Sequence, residues 1–407
     1  MGKILLIGTL DTKGKEISFL RNQLEERGHS TLLLDVGIGQ PVIKPDMDRH
    51  QVAQAAGVSI QSLIAGDDRG EAVAAMTKGV KSVVRQLFKS GGLNGVISAG
   101  GSAGTTIACS AMQILPFGFP KVMISTLASG DVSGFIGGKD IVMIPAVVDI
   151  NGLNRINRRV FSQAAGAICG MLDVSSNLFE DKQTVAATMF GNTTKCVDNC
   201  RLLLEAAGFE VLIFHATGTG GRTMESLVES GQVAGVLDVT TTELADEVVG
   251  GVMGAGPERL LAAARSGVPA VVVPGCLDMV NFWAPETIPK VFFDRLFYQH
   301  NPNVTLMRTN SKENRELGAQ FALNLNQSTG PVSVYIPTEG VSVISAPGQS
   351  FHDPEADASF RLALSQDLRD DIQIHERPVN INDPSFSHEI SQALIRMMDQ
   401  HSREIRT

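Results

Sequence analysis

Short apolar runs alternate with amphipathic helical segments along the whole chain. The runs at 3–7 and 31–36 enclose a segment whose apolar residues recur at helical spacing. The same order returns later, where runs at 185–190 and 211–214 enclose a second helical segment. Strands that alternate with helices are typical of βαβ units and parallel sheets. The pattern therefore predicts an α/β protein with two Rossmann-like, doubly wound parallel-sheet domains.

The two halves of the chain share this pattern, which suggests a duplication. Each half continues with a Gly-Val strand, a loop rich in Gly and Thr, a helix, and a strand introduced by proline. These strands fall at 95–97 and 120–124 in the first half, and at 235–237 and 269–273 in the second. The similarity is one of pattern more than of identity.

A polar segment at 180–182 predicts the boundary between the halves. It gives a nucleotide-binding domain at 1–180 and a second Rossmann-like domain at 181–407. Beyond the repeated pattern the second half carries several additional elements. They are a strand at 304–307, a helix at 314–325, a strand pair at 332–335 and 341–344, and a final amphipathic helix at about 384–398.

Composition narrows the classes of function. The chain has 34 Lys and Arg against 43 Asp and Glu, a net charge of −9, so no basic stripe is available to neutralise a nucleic acid. No apolar run approaches the ~20 residues of a membrane span, and the N-terminal run is too short for a signal peptide. The five cysteines form no CxxC motif and are expected to be buried reduced thiols. We expect a cytoplasmic protein that binds neither nucleic acid nor membrane.

A glycine-rich loop at 100–105 is the most informative motif. The apolar run 96–99 ends in GGSAGT, and a helical pattern opens at Ile107. Such a turn can hold an anion, because glycines let the backbone approach a phosphate and free N–H groups of the first helical turn point at it. An ordinary strand-to-helix turn looks the same. In addition, Ala99 stands where a G-x-G-x-x-G motif has its first glycine.

Three further loops are expected beside the glycine-rich loop, because ligands gather at the carboxyl ends of parallel strands. The loops at 8–13, 125–130 and 147–151 contribute hydroxyls, glycines and two carboxylates. This set suits a nucleotide, with hydroxyl and N–H groups for phosphates and carboxylates for ribose or for Mg²⁺ through water. Arg69 is the candidate cation, either on the phosphates or stacked on a base. An arginine that merely begins a helix would look the same.

Together these motifs resemble the amino-terminal domain of the tomato mosaic virus resistance protein of plants, a family with uncharacterised bacterial members. The resemblance covers nearly the whole chain, and its ordered motifs lie in the first half. It implies two Rossmann-like subdomains, of which the first binds ATP with Mg²⁺. It further implies nucleotide contacts by Thr9, Asp11, Arg69, Gly100, Gly101, Ser102, Ala103, Gly104, Thr105, Thr126 and Ser129.

The strand ends of the second half predict a separate small-molecule site. His215 with Asp238 or Glu243 is a candidate catalytic acid–base group. The loop Gly218–Gly221 is a candidate seat for a substrate carboxylate or phosphate. A decayed copy of the nucleotide site, whose polar residues only hold loops, would carry the same residues.

Two classes of function follow. One is an ATP-dependent enzyme acting on a small anionic metabolite held in the second domain. The other is a non-catalytic nucleotide-binding interaction protein, in which ATP sets a partner surface or an oligomer surface. The acid–base residues favour the enzyme, whereas the lack of a P-loop favours the binding protein: Gly8 is one residue too far from Gly14-Lys15, and Glu16 replaces the Ser or Thr. In either class we expect a homo-oligomer.

Overall fold

The chain divides into two compact units, Met1–Glu180 and Asp181–Thr407. The computed structural model describes residues 3–174 and 182–406, so Glu180 and Asp181 of the predicted linker lie outside the described residues. No helix in the described part of the chain is long and apolar enough to cross a membrane. The five cysteines are free and buried, as expected.

A five-stranded parallel sheet forms the centre of the first unit. Its strands are β1 (Lys3–Gly8), β2 (Ser30–Asp35), β3 (Gly95–Gly100), β4 (Lys121–Ser125) and β5 (Val142–Pro145), in the order β2-β1-β3-β4-β5. Its helices are α1 (Leu10–Glu25), α2 (Arg49–Ala56), α3 (Ile60–Gly66), α4 (Arg69–Lys89), α5 (Ser102–Gln113), α6 (Ser133–Ile136) and α7 (Arg155–Leu172).

Alternate residues of β1 face two helical layers. Ile4 and Leu6 pack into an apolar cluster with α1 and α7, whereas Leu5 and Ile7 pack into a cluster with α2, α4 and α5. A sheet covered on both faces explains why its strands read as continuous apolar runs. The helix after β1 therefore lies on one face of the sheet and the helix after β3 on the other. This confirms the doubly wound architecture of the first unit.

The second unit repeats that strand order and extends it. Counted from its first strand, its parallel sheet runs second, first, third and fourth, followed by two further strands at the edge. The strands are β6 (Thr184–Met189), β7 (Glu210–His215), β8 (Gly235–Thr240), β9 (Ala270–Gly275), β10 (Met279–Phe282), β11 (Phe297–Asn301), β12 (Val304–Arg308), β13 (Val332–Pro337) and β14 (Gln373–Arg377). The helices are α8 (Thr194–Ala206), α9 (Thr219–Glu229), α10 (Thr242–Val249), α11 (Leu261–Ser266), α12 (Ser311–Leu325), α13 (Pro354–Asp367) and α14 (Pro384–Arg406).

Three strands of the second unit lie outside the parallel sheet. β10, β12 and β11 form a small antiparallel sheet, so the predicted strand at 304–307 exists but pairs there. The predicted strand at 341–344 was wrong. That segment instead folds into a turn in which Ser342 and Ser345 each accept the other's backbone N–H at 3.0 Å, and β14 takes the place beside β13.

Candidate functional site

A cavity of about 510 Å³ opens where β1 and β3 end. This is the point at which the strand order of the sheet reverses, because β2 lies on one side of β1 and β4 on the far side of β3. Open α/β sheets bind their ligands at such a point. Seven of the residues expected to contact a nucleotide line the cavity: Thr9, Asp11, Arg69, Gly101, Ser102, Ala103 and Gly104.

The N-terminus of α5 has no side-chain cap. Its N-cap residue, Gly101, has an extended backbone and no side chain that could cap the helix. The other two helices that begin at the cavity are capped: Asp35 accepts the N–H of Leu10 in α1, and Asp68 accepts two N–H groups of α4. The unbound N–H groups and the helix dipole therefore concentrate positive potential at the first turn of α5.

The glycines of this turn have different roles. A Cβ at Gly100 would lie 3.1 Å from the Cα of Gly104, so close packing of strand against helix requires glycine there. A Cβ at Gly104 would meet nothing within 4 Å, and one at Gly101 only Thr126 Oγ1 at 3.8 Å. Glycine at positions 101 and 104 is therefore not needed for packing. It leaves the helix end open to a ligand.

Four of the expected nucleotide contacts are not among the residues that line the cavity. Thr105 is fully buried and its Oγ1 lies 2.7 Å from Ser125 Oγ, so its hydroxyl joins α5 to the end of β4. The carbonyl of Gly100 accepts the N–H of Thr126. Thr126 and Ser129 are exposed on the loop after β4, and their contact with a ligand remains a prediction.

Asp11 lines the cavity and is held by the loop after β2. Its Oδ2 accepts the N–H of Gly39 at 2.8 Å, whereas its Oδ1 is buried without a partner. A Cβ at Gly37 or Gly39 would come within 2.6 or 2.8 Å of the Asp11 carboxylate, so only glycines let the loop close against it. Asp11 is therefore a fixed carboxylate at the wall of the cavity, with Oδ2 bonded to the loop and Oδ1 buried against it.

Asp35 supports this arrangement, although the sequence analysis did not single it out. It is fully buried at the end of β2, and its Oδ1 accepts N–H groups from both Leu10 and Gly37. Burial raises the pKa of Asp35, and the two N–H groups partly offset that rise. A signal was present in the sequence, because an acidic residue ends an apolar run and the Gly-x-Gly segment 37–39 follows it closely.

The two basic side chains at the cavity differ in their availability. Lys13 donates from Nζ to the carbonyl of Ile150. Arg69 is exposed, and among the described residues its side chain has no hydrogen bond or ion pair. Arg69 is therefore the cation that is free to contact a ligand.

In the second unit, Asp238 and Glu243 are partners of a buried arginine. Arg259 is 1% exposed, and its guanidinium binds both oxygens of Asp238 and Glu243 Oε2 at 2.8 Å. It also binds Glu225 Oε1 at 3.1 Å. Burial raises the pKa of Glu225, and the positive charge of Arg259 opposes that rise. The network holds charged groups in this unit's interior, and it engages Asp238 and Glu243, two of the three predicted catalytic residues.

The loop Gly218–Gly221 already holds a carboxylate of the protein itself. Glu243 Oε1 accepts the N–H of Gly218 at 2.6 Å and of Gly221 at 3.0 Å. This corrects the expectation that the loop seats a substrate anion. His215 is exposed and packs against Phe190, with ring centroids 5.5 Å apart. Within the described residues no hydrogen bond joins its imidazole to Asp238 or Glu243, and an acid–base role for His215 remains a prediction.

Apolar side chains cover the carboxyl ends of the second sheet. Phe190 follows β6 and Cys276 follows β9, and both belong to one buried cluster with residues of β10, β12 and the 341–351 segment. The cavities beside this unit's buried carboxylates have volumes of about 10 and 20 Å³. Such volumes hold about one water molecule. The residues that follow β6 and β9 are thus covered by the chain's own apolar side chains.

We predict that Arg259→Met destabilises the protein by about 3–5 kcal/mol, because the buried carboxylates lose their counter-charge. Urea unfolding would measure the loss. Arg265→Met is the matched control, since Arg265 pairs with Glu258 at 3.0 Å on the surface and is worth at most about 1 kcal/mol. A stability loss in Arg259→Met no larger than that of the control would contradict the role assigned to the network.

The buried carboxyl group of Asp246 should make the stability of the protein depend on pH. Burial raises its pKa from 3.8 to about 8, partly opposed by hydrogen bonds from Asn281. Between these values the folded state holds a proton that the unfolded state releases, so stability falls as pH rises. Asp246→Asn should flatten this decline in urea midpoints measured from pH 5 to 8. The exposed Asp198→Asn should leave it unchanged, and an equal decline in both variants would contradict the prediction.

Comparison with known proteins places the chain in a family. The N-terminal domain model of the uncharacterised protein family UPF0261 matches residues 2–177, and its C-terminal domain model matches residues 182–398. The UPF0261 protein of Clostridium tetani is 47% identical over 401 residues, which cover 98% of this chain and 99% of the relative.

The predicted resemblance to the plant protein is confirmed in sequence. The ToMV resistance protein Tm-1(GCR237) of Solanum lycopersicum is 38% identical over 419 residues, which cover 97% of this chain and 56% of that protein. This chain thus matches about half of the tomato protein's length.

Among solved structures, UDP-N-acetylglucosamine 2-epimerase from Rickettsia bellii aligns with 67% of this chain and 78% of its own at 12% identity. Its TM-score of 0.23 is too low to establish a common function. The family models, by contrast, match both units of the chain. The chain is therefore a member of the UPF0261 family.

Proposed function

We propose that the first unit binds ATP, with the triphosphate at the N-terminus of α5. The observation that carries the proposal is the uncapped first turn of this helix at the mouth of a cavity of about 510 Å³. Unbound N–H groups at a helix N-terminus are a common phosphate site. The resemblance stated from the sequence supports ATP as the ligand.

Magnesium would enter with the nucleotide. No group of three or more His, Cys, Asp or Glu side chains in residues 3–174 and 182–406 is placed to hold a metal ion. Mg²⁺ commonly needs only one or two carboxylates, because phosphates and waters complete its coordination. Asp11 and Asp149 both line the cavity and are the carboxylates that would approach the metal ion, directly or through water.

Of the two functional classes, the geometry of the second unit favours the nucleotide-binding interaction protein. An enzyme acting on a small anionic metabolite needs a second site, and the candidate residues for it are engaged: Glu243 fills the Gly218–Gly221 loop, and Arg259 holds Asp238. ATP would then set a partner surface or an oligomer surface. Purified protein should bind ATP without hydrolysing it. ATP turnover in the presence of any of a panel of anionic metabolites would instead favour the ATP-dependent enzyme.

The proposal predicts opposite effects of Gly104→Ala on stability and on affinity. Alanine removes an unfavourable helical glycine and should stabilise the fold by about 0.4–1 kcal/mol. Its methyl group would project into the cavity and keep phosphate from the backbone. Losing one charge-assisted hydrogen bond should lower the affinity for ATP about tenfold or more, as measured by calorimetric titration.

Gly166→Ala is the matched control for this prediction. Gly166 is an exposed glycine of α7, and a Cβ there would also meet nothing within 4 Å. This variant should gain stability and keep its ATP affinity. Wild-type ATP affinity in Gly104→Ala would refute the placement of the phosphates.

A further inference from the structure

The cavity of the first unit has two chemically different ends. At the first turn of α5 and the loop after β1 its lining residues present backbone, hydroxyl and charged groups, including those of Ser102, Thr9 and Asp11. Toward α4 and the loop after β2 it is bounded by aliphatic side chains, among them Ile38, Val73 and Met76. A ligand that fills this cavity therefore meets hydrogen-bond donors at one end and an apolar wall at the other.

Arg69 belongs to the apolar end. It begins α4, and Val73 and Met76 follow it at four and seven positions, so the three residues share one face of the helix. All three line the cavity. The side chain of Asp68 caps the backbone of this helix end, so the first turn of α4 contributes the guanidinium and not a backbone anion site.

We propose that Arg69 stacks on the base of the nucleotide, beside the wall formed by Val73 and Met76 on the same face of α4, and does not bind the phosphates. This inference rests on the proposed function and specifies how the same site recognises its ligand. A guanidinium is planar and stacks on the face of an aromatic ring. The phosphates have their own partners at α5, at the other end of the cavity. The ligand is thus a nucleotide whose heteroaromatic base contributes directly to affinity.

The test compares ATP with inorganic tripolyphosphate, which has the same charged groups but no base. Both ligands are titrated calorimetrically into wild type, Arg69→Ala and Arg69→Lys, with weak tripolyphosphate binding measured by displacement of ATP. Arg69→Ala should lower the affinity for ATP about tenfold and the affinity for tripolyphosphate less than about twofold. Lysine keeps the charge but not the planar group, so Arg69→Lys should recover little of the lost ATP affinity.

Two further variants control the comparison. Arg85→Ala removes the same charge from an exposed site on α4 that does not line the cavity, and it should leave both ligands unchanged. Val73→Phe narrows the apolar end and should weaken ATP while tripolyphosphate binding stays close to wild type. Thermal midpoints near wild type would show that each variant is folded.

Equal weakening of ATP and tripolyphosphate by Arg69→Ala, with recovery in Arg69→Lys, would make Arg69 a phosphate ligand and overturn the inference. Wild-type ATP affinity in Arg69→Ala would overturn it as well. Neither result would affect the proposed function, provided that Gly104→Ala still lowers the affinity for ATP. A wild-type protein that binds no ATP would instead refute the proposed function itself.

Discussion

The parallel pairing of β1 with β3 is the constraint on which the candidate site depends. Ile4 to Ile7 of β1 lie in register with Gly95 to Ser98 of β3, and both strands are buried on both faces. The helices that follow these strands pack on opposite faces, so their loops diverge and leave a crevice between them. The same pairing brings Thr9 and Asp11 to the first turn of α5. Substitutions in this pair of strands would therefore alter the site without touching a residue that lines it.

The second unit shows that the same strand order does not by itself create a site. There the N–H groups of Gly218 and Gly221 bind Glu243, and the carboxyl ends of the sheet lie under an apolar cluster. The difference lies in what the chain places at the strand ends. In the first unit Gly101 and Gly104 leave the helix end after β3 uncovered. In the second unit an internal carboxylate occupies the loop after β7, and the 341–351 segment packs on the residues that follow β6 and β9. The duplication hypothesis thus describes the architecture better than the chemistry.

The sequence predicted what depends on local patterns. Apolar runs and their helical neighbours identified most parallel strands of both sheets, although not β14, and the glycine loop with Asp11 and Arg69 identified the cavity. What the sequence did not reveal depends on contacts between distant residues. Glu243 binds a backbone turn 25 residues earlier, and Arg259 joins acids from three different elements, so neither role has a local signature. The segment 341–344 has three apolar residues in four positions, as a short strand would, but the hydrogen bonds from its backbone to the hydroxyls of Ser342 and Ser345 fold it into a turn.

A crystal structure of the protein with a non-hydrolysable ATP analogue and Mg²⁺ tests the central claim most directly. The account predicts triphosphate oxygens within hydrogen-bond distance of the N–H groups of Ser102, Ala103 and Gly104, with the base directed toward α4. Density for the triphosphate at the end of another helix, or at the loop Gly218–Gly221, would contradict it. Density with the base at α5 and the phosphates beside Arg69 would contradict it equally.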